Sequence, residues 1–390
     1  MTDAARTLDP ERLLGTARQL TGLEDFGDPA FREGLQRFLR SAVEDATLNP
    51  IGIGTIEGLT IGMLVNRLRY EADLKRHPEI LEEPLEPPVV IVGLPRTGTT
   101  KLHRMMAVDE RFQSIRAWQT LNPAPFPNAP KDGPDPRIAV AKQMDAVVET
   151  MNPEILAGHP IRAEEVDEET SYLMEMTFEW TLLAMRGELP SFEAWVATRS
   201  QVPTYRYLRR MLQYLQWQTG GRGRPYLLKS PLHIAHFDAL HEVFPGSLVI
   251  HCHRHPAEAA TSFMKLAELS RRLMYGAVDR RAVGEWVLRT LAGQMRHYLA
   301  QRDALGLRAS IVDAGFDAIA RRPLDVIRES LARRGWSLRD TVANAMLQWE
   351  AGHPIDRFGK FIYAMQDYGM TRADFESAFA GYLERFGTLL

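Results

Sequence analysis

The segment Gly93-Leu94-Pro95-Arg96-Thr97-Gly98-Thr99-Thr100 has the residue types and spacing of an anion cradle. Two glycines let the backbone approach a ligand closely, and successive N–H groups of such a loop converge on negative charge. A helix beginning just after the second glycine adds its dipole. The two-glycine spacing matches a Walker A loop, yet the lysine that should follow the second glycine and neutralise a triphosphate is replaced by Thr99. The positive charge sits inside the loop, on Arg96, with the hydroxyls of Thr97, Thr99 and Thr100 around it.

Such a loop suits a shorter anion than a triphosphate, a phosphate esterified to sulfate, that carries less charge and arrives without Mg²⁺. A second anion contact is encoded further along, where Arg254 follows a short apolar run and Ser262 lies eight residues later. One group at a strand end and another about two turns along the next helix can face the same phosphate. Arg254 would supply planar, charge-assisted donors and Ser262 a hydroxyl. For proton transfer, His159 in Gly158-His159-Pro160 has a reference pKa suited to abstraction near neutrality. Glu168, within the acidic run Glu164-Glu165-Val166-Asp167-Glu168-Glu169, is a second candidate, as base or as orienter of His159. A run of this kind is also how a solvated helix face reads. His251, His253 and His255 alternate as metal ligands could, but they share a face only until the strand ends at Arg254, so no metal is expected.

These groups need a frame. Pro88-Val89-Val90-Ile91-Val92-Gly93 is a continuous β-branched run, the pattern of a strand buried on both faces, and a helical pattern follows the loop. The order repeats twice. Residues 226–229 lead through Ser230-Pro231 into a helix, and residues 247–252 lead through His253-Arg254-His255-Pro256 into another; residues 310–313 read as a fourth strand. Strands alternating with helices predict an α/β fold, a P-loop-like parallel sheet flanked by helices, with ligands at the C-terminal edge of the strands. Residues 1–85 read as an N-terminal helical extension closed off by prolines, and residues 86–390 as the main domain. Within it, residues 116–224 form a mostly helical insertion expected to build an acceptor pocket. Its Tyr172, Met176, Phe178, Trp180, Leu182, Met185 and Phe192 favour an apolar guest wherever they leave the core.

The loop and the Arg254/Ser262 pair, in this chain order, resemble the sulfotransferases that use 3'-phosphoadenosine-5'-phosphosulfate (PAPS). Their 5'-phosphosulfate loop reads Pro, then Lys or Arg, then Ser or Thr, then Gly-Thr-Thr; the arginine form here is similar to the tyrosylprotein and bacterial small-molecule branches. The resemblance implies that Pro95, Arg96, Thr97, Gly98, Thr99 and Thr100 hold the 5'-phosphosulfate and that Arg254 and Ser262 hold the 3'-phosphate. It further implies that Lys229, in Leu228-Lys229-Ser230-Pro231, reaches the transferring sulfuryl group, and that Arg357 and Lys360 in the tail fold over the nucleotide. His159 matches a histidine of the bacterial branch. Related enzymes often carry a catalytic carboxylate about twenty residues past the loop, where this chain has Trp118-Gln119-Thr120, and an amide cannot take a proton. The implied reaction is in-line transfer to a hydroxyl or amine, leaving adenosine 3',5'-bisphosphate (PAP), with Arg96, Lys229, His159 and Glu168 as the catalytic set.

Bulk properties agree. The chain has 390 residues, 45% hydrophobic and 25% charged, with a formal net charge of -3. That balance gives no general attraction to nucleic acid or anionic lipid, so any anion site is local. A single cysteine, Cys252, excludes an internal disulfide and fits a reducing compartment. The first residues lack the apolar stretch of a signal peptide and no membrane span is evident, so a cytoplasmic protein is expected. The expected partner is a small-molecule acceptor, a sterol, phenol or lipid alcohol; a homo-oligomer is compatible with the sequence. Two other readings remain. A P-loop kinase or NTPase would want a lysine at position 99 and an acid after the third strand, where His251-Cys252-His253-Arg254 supplies none. A catalytically inactive nucleotide-binding protein on the same scaffold draws support from Gln119.

Overall fold

A computed structural model describes residues 2–130, 132–354 and 357–390. The N-terminal part folds into α1 (Pro10–Thr21), α2 (Phe31–Glu44) and α3 (Pro50–Arg76). α3 starts at Pro50, where proline's missing N–H costs nothing, and the Asn49 side chain caps it by accepting from Gly52 N at 2.8 Å. Asn49 is in turn held from the main domain, its backbone N–H donating to Met274 O at 2.9 Å. The extension therefore shares one apolar cluster with the rest of the chain, from Leu8 to Phe386.

The sheet is built from β1 (Val89–Gly93), β2 (Leu227–Lys229), β3 (Leu248–His253) and β4 (Ile311–Gly315). Its order is β2-β1-β3-β4, all parallel. Every β1 residue is buried, and alternation divides them: Val90 and Val92 enter the large cluster on one face, Val89 and Ile91 the smaller cluster on the other. This is the double burial expected of a central parallel strand. α4 (Thr99–Met106) follows the loop and packs Leu102, Met105 and Met106 into the smaller cluster.

Between β1 and β2 lie α5 (Pro136–Met151), α6 (Pro153–Gly158) and α7 (Val202–Thr219). After β3 come α8 (Pro256–Tyr275) and α9 (Arg280–Ala304), and after β4 the short α10 (Phe316–Arg321). The β2 and β3 tips flank the β1 tip. Gly93, Lys229 and His253 therefore end three adjacent strands on one edge, where the loops that carry Arg96 and Arg254 leave the sheet. This α/β architecture is the one expected from the strand–helix alternation.

Candidate active site

The β1–α4 loop turns tightly. Gly98 has φ +90, a left-handed conformation that glycine adopts without a Cβ penalty, and a Cβ there would meet Ile319 at 3.0 Å. Arg96 is also left-handed, with φ 70. A non-glycine residue pays backbone strain for such a conformation, and it persists only where neighbours hold it. Here Arg96 Nε donates to Ser262 Oγ at 3.2 Å, and the Arg254 guanidinium donates to the Arg96 carbonyl at 3.0 Å. The loop arginine and the Arg254/Ser262 pair thus meet at one point.

Burial, together with the nearby charge of Arg254, holds the Arg96 guanidinium below its ordinary pKa, yet an arginine stays charged. Arg254 lies over the Phe316 ring at 4.3 Å and reaches Glu258 at 3.2 Å. Two like charges held together in a half-enclosed cleft stabilise an anion placed between them. Lys101, which follows the loop in sequence, does not join them: its Nζ bonds Glu350 at 2.5 Å and the Ala320 carbonyl at 2.9 Å.

Pro95, Arg96, Gly98, Thr99 and Thr100 of the loop line a cavity of about 1170 Å³ together with Arg254 and Phe316. His159, Asp167 and Glu168 line it too. Much of the remaining lining is apolar, including Leu121, Ala141, Leu182, Met185, Phe263 and Phe361. The aromatic stripe of the insertion divides accordingly: Phe178, Trp180 and Phe192 are fully buried core, whereas Tyr172, Leu182 and Met185 face the cavity.

Lys229, at the β2 tip, is 2% exposed and lies behind the cavity wall, reaching it through Glu168 and Thr100, which do line it. Its Nζ contacts Glu168 Oε1 at 2.5 Å and Thr100 Oγ1 at 3.4 Å. Burial opposes ionisation of Glu168, but Lys229 outweighs it and holds the carboxyl below the usual range. Glu169 pairs with His233, whose other ring nitrogen is 2.6 Å from Tyr205 Oη, and accepts the Lys229 backbone N–H at 3.0 Å. Asp167 differs from both. Among the described residues it forms no ion pair, and burial plus the adjacent Glu168 charge raise its pKa to about 6. His159 is held in the cavity wall with its pKa lowered to about 4, first by burial and then by Lys229, Arg96 and Arg104 against the opposing Glu168.

Other candidates have partners of their own. The Thr97 hydroxyl donates to the Leu94 carbonyl at 2.8 Å and its side chain is buried, so it braces the loop. Arg357 pairs with Glu165 and lies over Phe358 at 4.6 Å, while Lys360 lines the cavity. The tail is seated through Phe361, which packs where Gly158 leaves room: a Cβ on Gly158 would stand 2.6 Å from its ring. Gln119 faces inward, accepting from Arg116 N at 2.9 Å in a helix cap. The His251 and His253 rings lie 3.8 Å apart, tilted to each other, beside Asp313, which is clamped by Arg302 at 2.6 and 2.7 Å, and His255 caps α8 instead of joining them. Sequence reasoning also passed over Asp167, which only its neighbours' partners single out.

The fold and this site define an α/β protein of the strand–loop–helix anion-binding class. Residues 87–340, more than half of the chain, match the sulfotransferase family, and the chain belongs to that family. Solved structures agree in fold. Sulfotransferase STF9 from Mycobacterium avium superposes with a TM-score of 0.84 at 26% identity, covering 96% of each chain. Sulfotransferase STF1 from Mycobacterium tuberculosis H37Rv gives 0.78 at 24% identity, covering 95% of this chain and 98% of that one. Among curated proteins, the omega-hydroxy-beta-dihydromenaquinone-9 sulfotransferase Stf3 of Mycobacterium bovis is 27% identical over 175 residues. That match spans 44% of this chain and 42% of the relative, less than half of either.

Proposed function

We propose that this sulfotransferase takes its sulfuryl group from PAPS, passes it to a hydroxyl (or amine) of an apolar, lipid-like acceptor, and releases PAP. One observation carries the reading: Arg96 meets Arg254 and Ser262 beside a cavity whose lining joins the loop and Arg254 to many apolar side chains. In this reading the loop from Pro95 to Thr100 holds the 5'-phosphosulfate through backbone N–H groups and the Thr99 and Thr100 hydroxyls. Arg254 and Ser262 take the 3'-phosphate, and Lys360 adds charge from the tail.

Arg96 and Lys229 then face the bridging and peripheral oxygens, where charge develops in a loose, in-line transfer. Glu168 fixes the Lys229 ammonium in place. His159, a neutral imidazole in the cavity wall, orients the acceptor hydroxyl. The insertion at residues 116–224 supplies the acceptor chamber, and a hydroxylated menaquinone, the substrate in the relative's name, is a guest of the kind that chamber suits. Cys252, buried and reduced, supports a cytoplasmic site of action.

A ligand stabilises a fold by RT ln(1 + [L]/Kd), so PAP should raise the melting temperature where ATP with Mg²⁺ does not. Incubation with PAPS and a lipid alcohol should release PAP in step with sulfated product. Stabilisation by ATP-Mg²⁺ alone would mark a nucleoside triphosphate enzyme, and PAP binding without turnover an inactive nucleotide-binding protein.

A further inference from the structure

The run Asp167-Glu168-Glu169 places three carboxylates in three environments. Glu168 is bound to Lys229 at 2.5 Å, and Glu169 is enclosed with His233 and the Lys229 backbone. Asp167 lines the cavity and is 7% exposed. Its backbone is pinned there: Asp167 N donates to Ile115 O at 3.0 Å, next to an antiparallel bridge between Arg116 and Val166. The charged and titratable groups facing it are Glu168, Lys229 at the β2 tip, Arg104 on α4 and the Tyr172 phenol.

We propose that the Asp167 carboxylate is the proton acceptor of the transfer reaction, an inference that rests on the PAPS reading above. As the acceptor oxygen bonds to sulfur, its O–H proton passes to Asp167. The bond between sulfur and the 5'-phosphate oxygen breaks, and its electron pair leaves on PAP. Asp167 then returns the proton to water once the sulfated product departs.

Electrostatics separate Asp167 from its two neighbours in the site. A proton arriving on His159 would create a buried cation close to Lys229, Arg96 and Arg104. A proton on Glu168 would break its ion pair and leave Lys229 uncompensated. A proton on Asp167 removes a desolvated charge and relieves its repulsion with Glu168. Its raised pKa also leaves it ionised at neutrality yet basic enough to accept.

The test compares wild type, Asp167→Asn and His159→Asn in radiolabelled sulfuryl transfer from PAPS to lauryl alcohol and to the more acidic 4-nitrophenol. PAP thermal shifts are measured on each protein. Wild-type kcat/KM for lauryl alcohol should fall along a one-proton limb below about pH 6. Asp167→Asn should lose that limb and roughly 10²- to 10⁴-fold in kcat with the alcohol, but about 10-fold or less with the phenol, whose proton leaves readily. Its PAP shift should match wild type. A limb that survives in Asp167→Asn and vanishes in His159→Asn would overturn the proposal in favour of His159. Equal losses with both acceptors and a lowered melting temperature would make Asp167 a structural residue. Wild type that binds PAP but transfers to neither acceptor also overturns it, whereas wild type that does not bind PAP brings down the nucleotide reading with it.

Discussion

Arg96 Nε and Ser262 Oγ lie 3.2 Å apart although 166 positions separate them in the chain. The bond joins the loop after the first strand to the helix after the third, and it holds Arg96 in a left-handed conformation with φ 70. Strain of that kind, clamped by neighbours, preorganises a charge, which under the proposed PAPS reading faces the transferring group. Arg96→Ala should lower kcat by roughly 10²- to 10³-fold. Ser262→Ala, which removes one hydrogen-bond partner, should weaken PAP by only about 3- to 15-fold. Rates of PAP formation and PAP titrations measure the two, and an Arg96→Ala enzyme with wild-type kcat would remove arginine from the reaction.

Gly98 is expected to tolerate no side chain. With φ +90, and with Ile319 3.0 Å from the place a Cβ would occupy, Gly98→Ala should cost about 1–3 kcal/mol of stability. Urea denaturation reads this directly, and an unchanged midpoint would mean the loop has another conformation available.

His103 makes stability depend on pH. Burial first, and Lys229 second, lower its pKa to about 4, and its Nε2 lies 3.1 Å from the Leu227 carbonyl. The unfolded chain binds the proton near the ordinary value of about 6.5. A folded pKa below the unfolded one means the contribution is whole above about pH 6.5 and is lost as pH falls toward the folded value. The loss reaches up to about 3 kcal/mol, and His103→Gln should flatten this part of the stability curve by about one proton. Denaturant titrations at a series of pH values check it; equal slopes in both proteins would contradict the assignment.

Ala267 lines the cavity from α8. Ala267→Phe should occupy part of the cavity and raise KM for a long-chain alcohol by about 10-fold or more, equivalent to roughly 1.4 kcal/mol. The PAP-induced thermal shift should stay as in wild type. A KM that does not move would place the acceptor elsewhere.

The sheet and its loop were legible because each rests on short-range rules. A β-branched run, two glycines at fixed spacing and a helix start suffice to write β1, the loop and α4. The Arg254 and Ser262 positions followed from strand and helix geometry together with the order of the elements. What sequence could not show is which partner each side chain takes. Thr97 and Thr99 read alike, yet one hydroxyl turns back to Leu94 while the other residue lines the cavity. Asp167, Glu168 and Glu169 are three adjacent acids in sequence; Lys229 and His233, more than sixty residues away, make them different. Arg357 likewise has its partner in Glu165, a pairing that the sequence around it does not reveal.

The central claim is that one nucleotide bridges the Arg96 loop and the Arg254/Ser262 pair. Calorimetric titration of PAP and of adenosine 5'-monophosphate into wild type and Arg254→Ala addresses it most directly. Wild type should bind PAP more tightly by roughly 10- to 100-fold, the worth of charge-assisted bonds to one phosphate, and Arg254→Ala should lose most of that preference. Equal affinity of wild type for the two nucleotides, or an Arg254→Ala protein that still prefers PAP as strongly, would contradict the account.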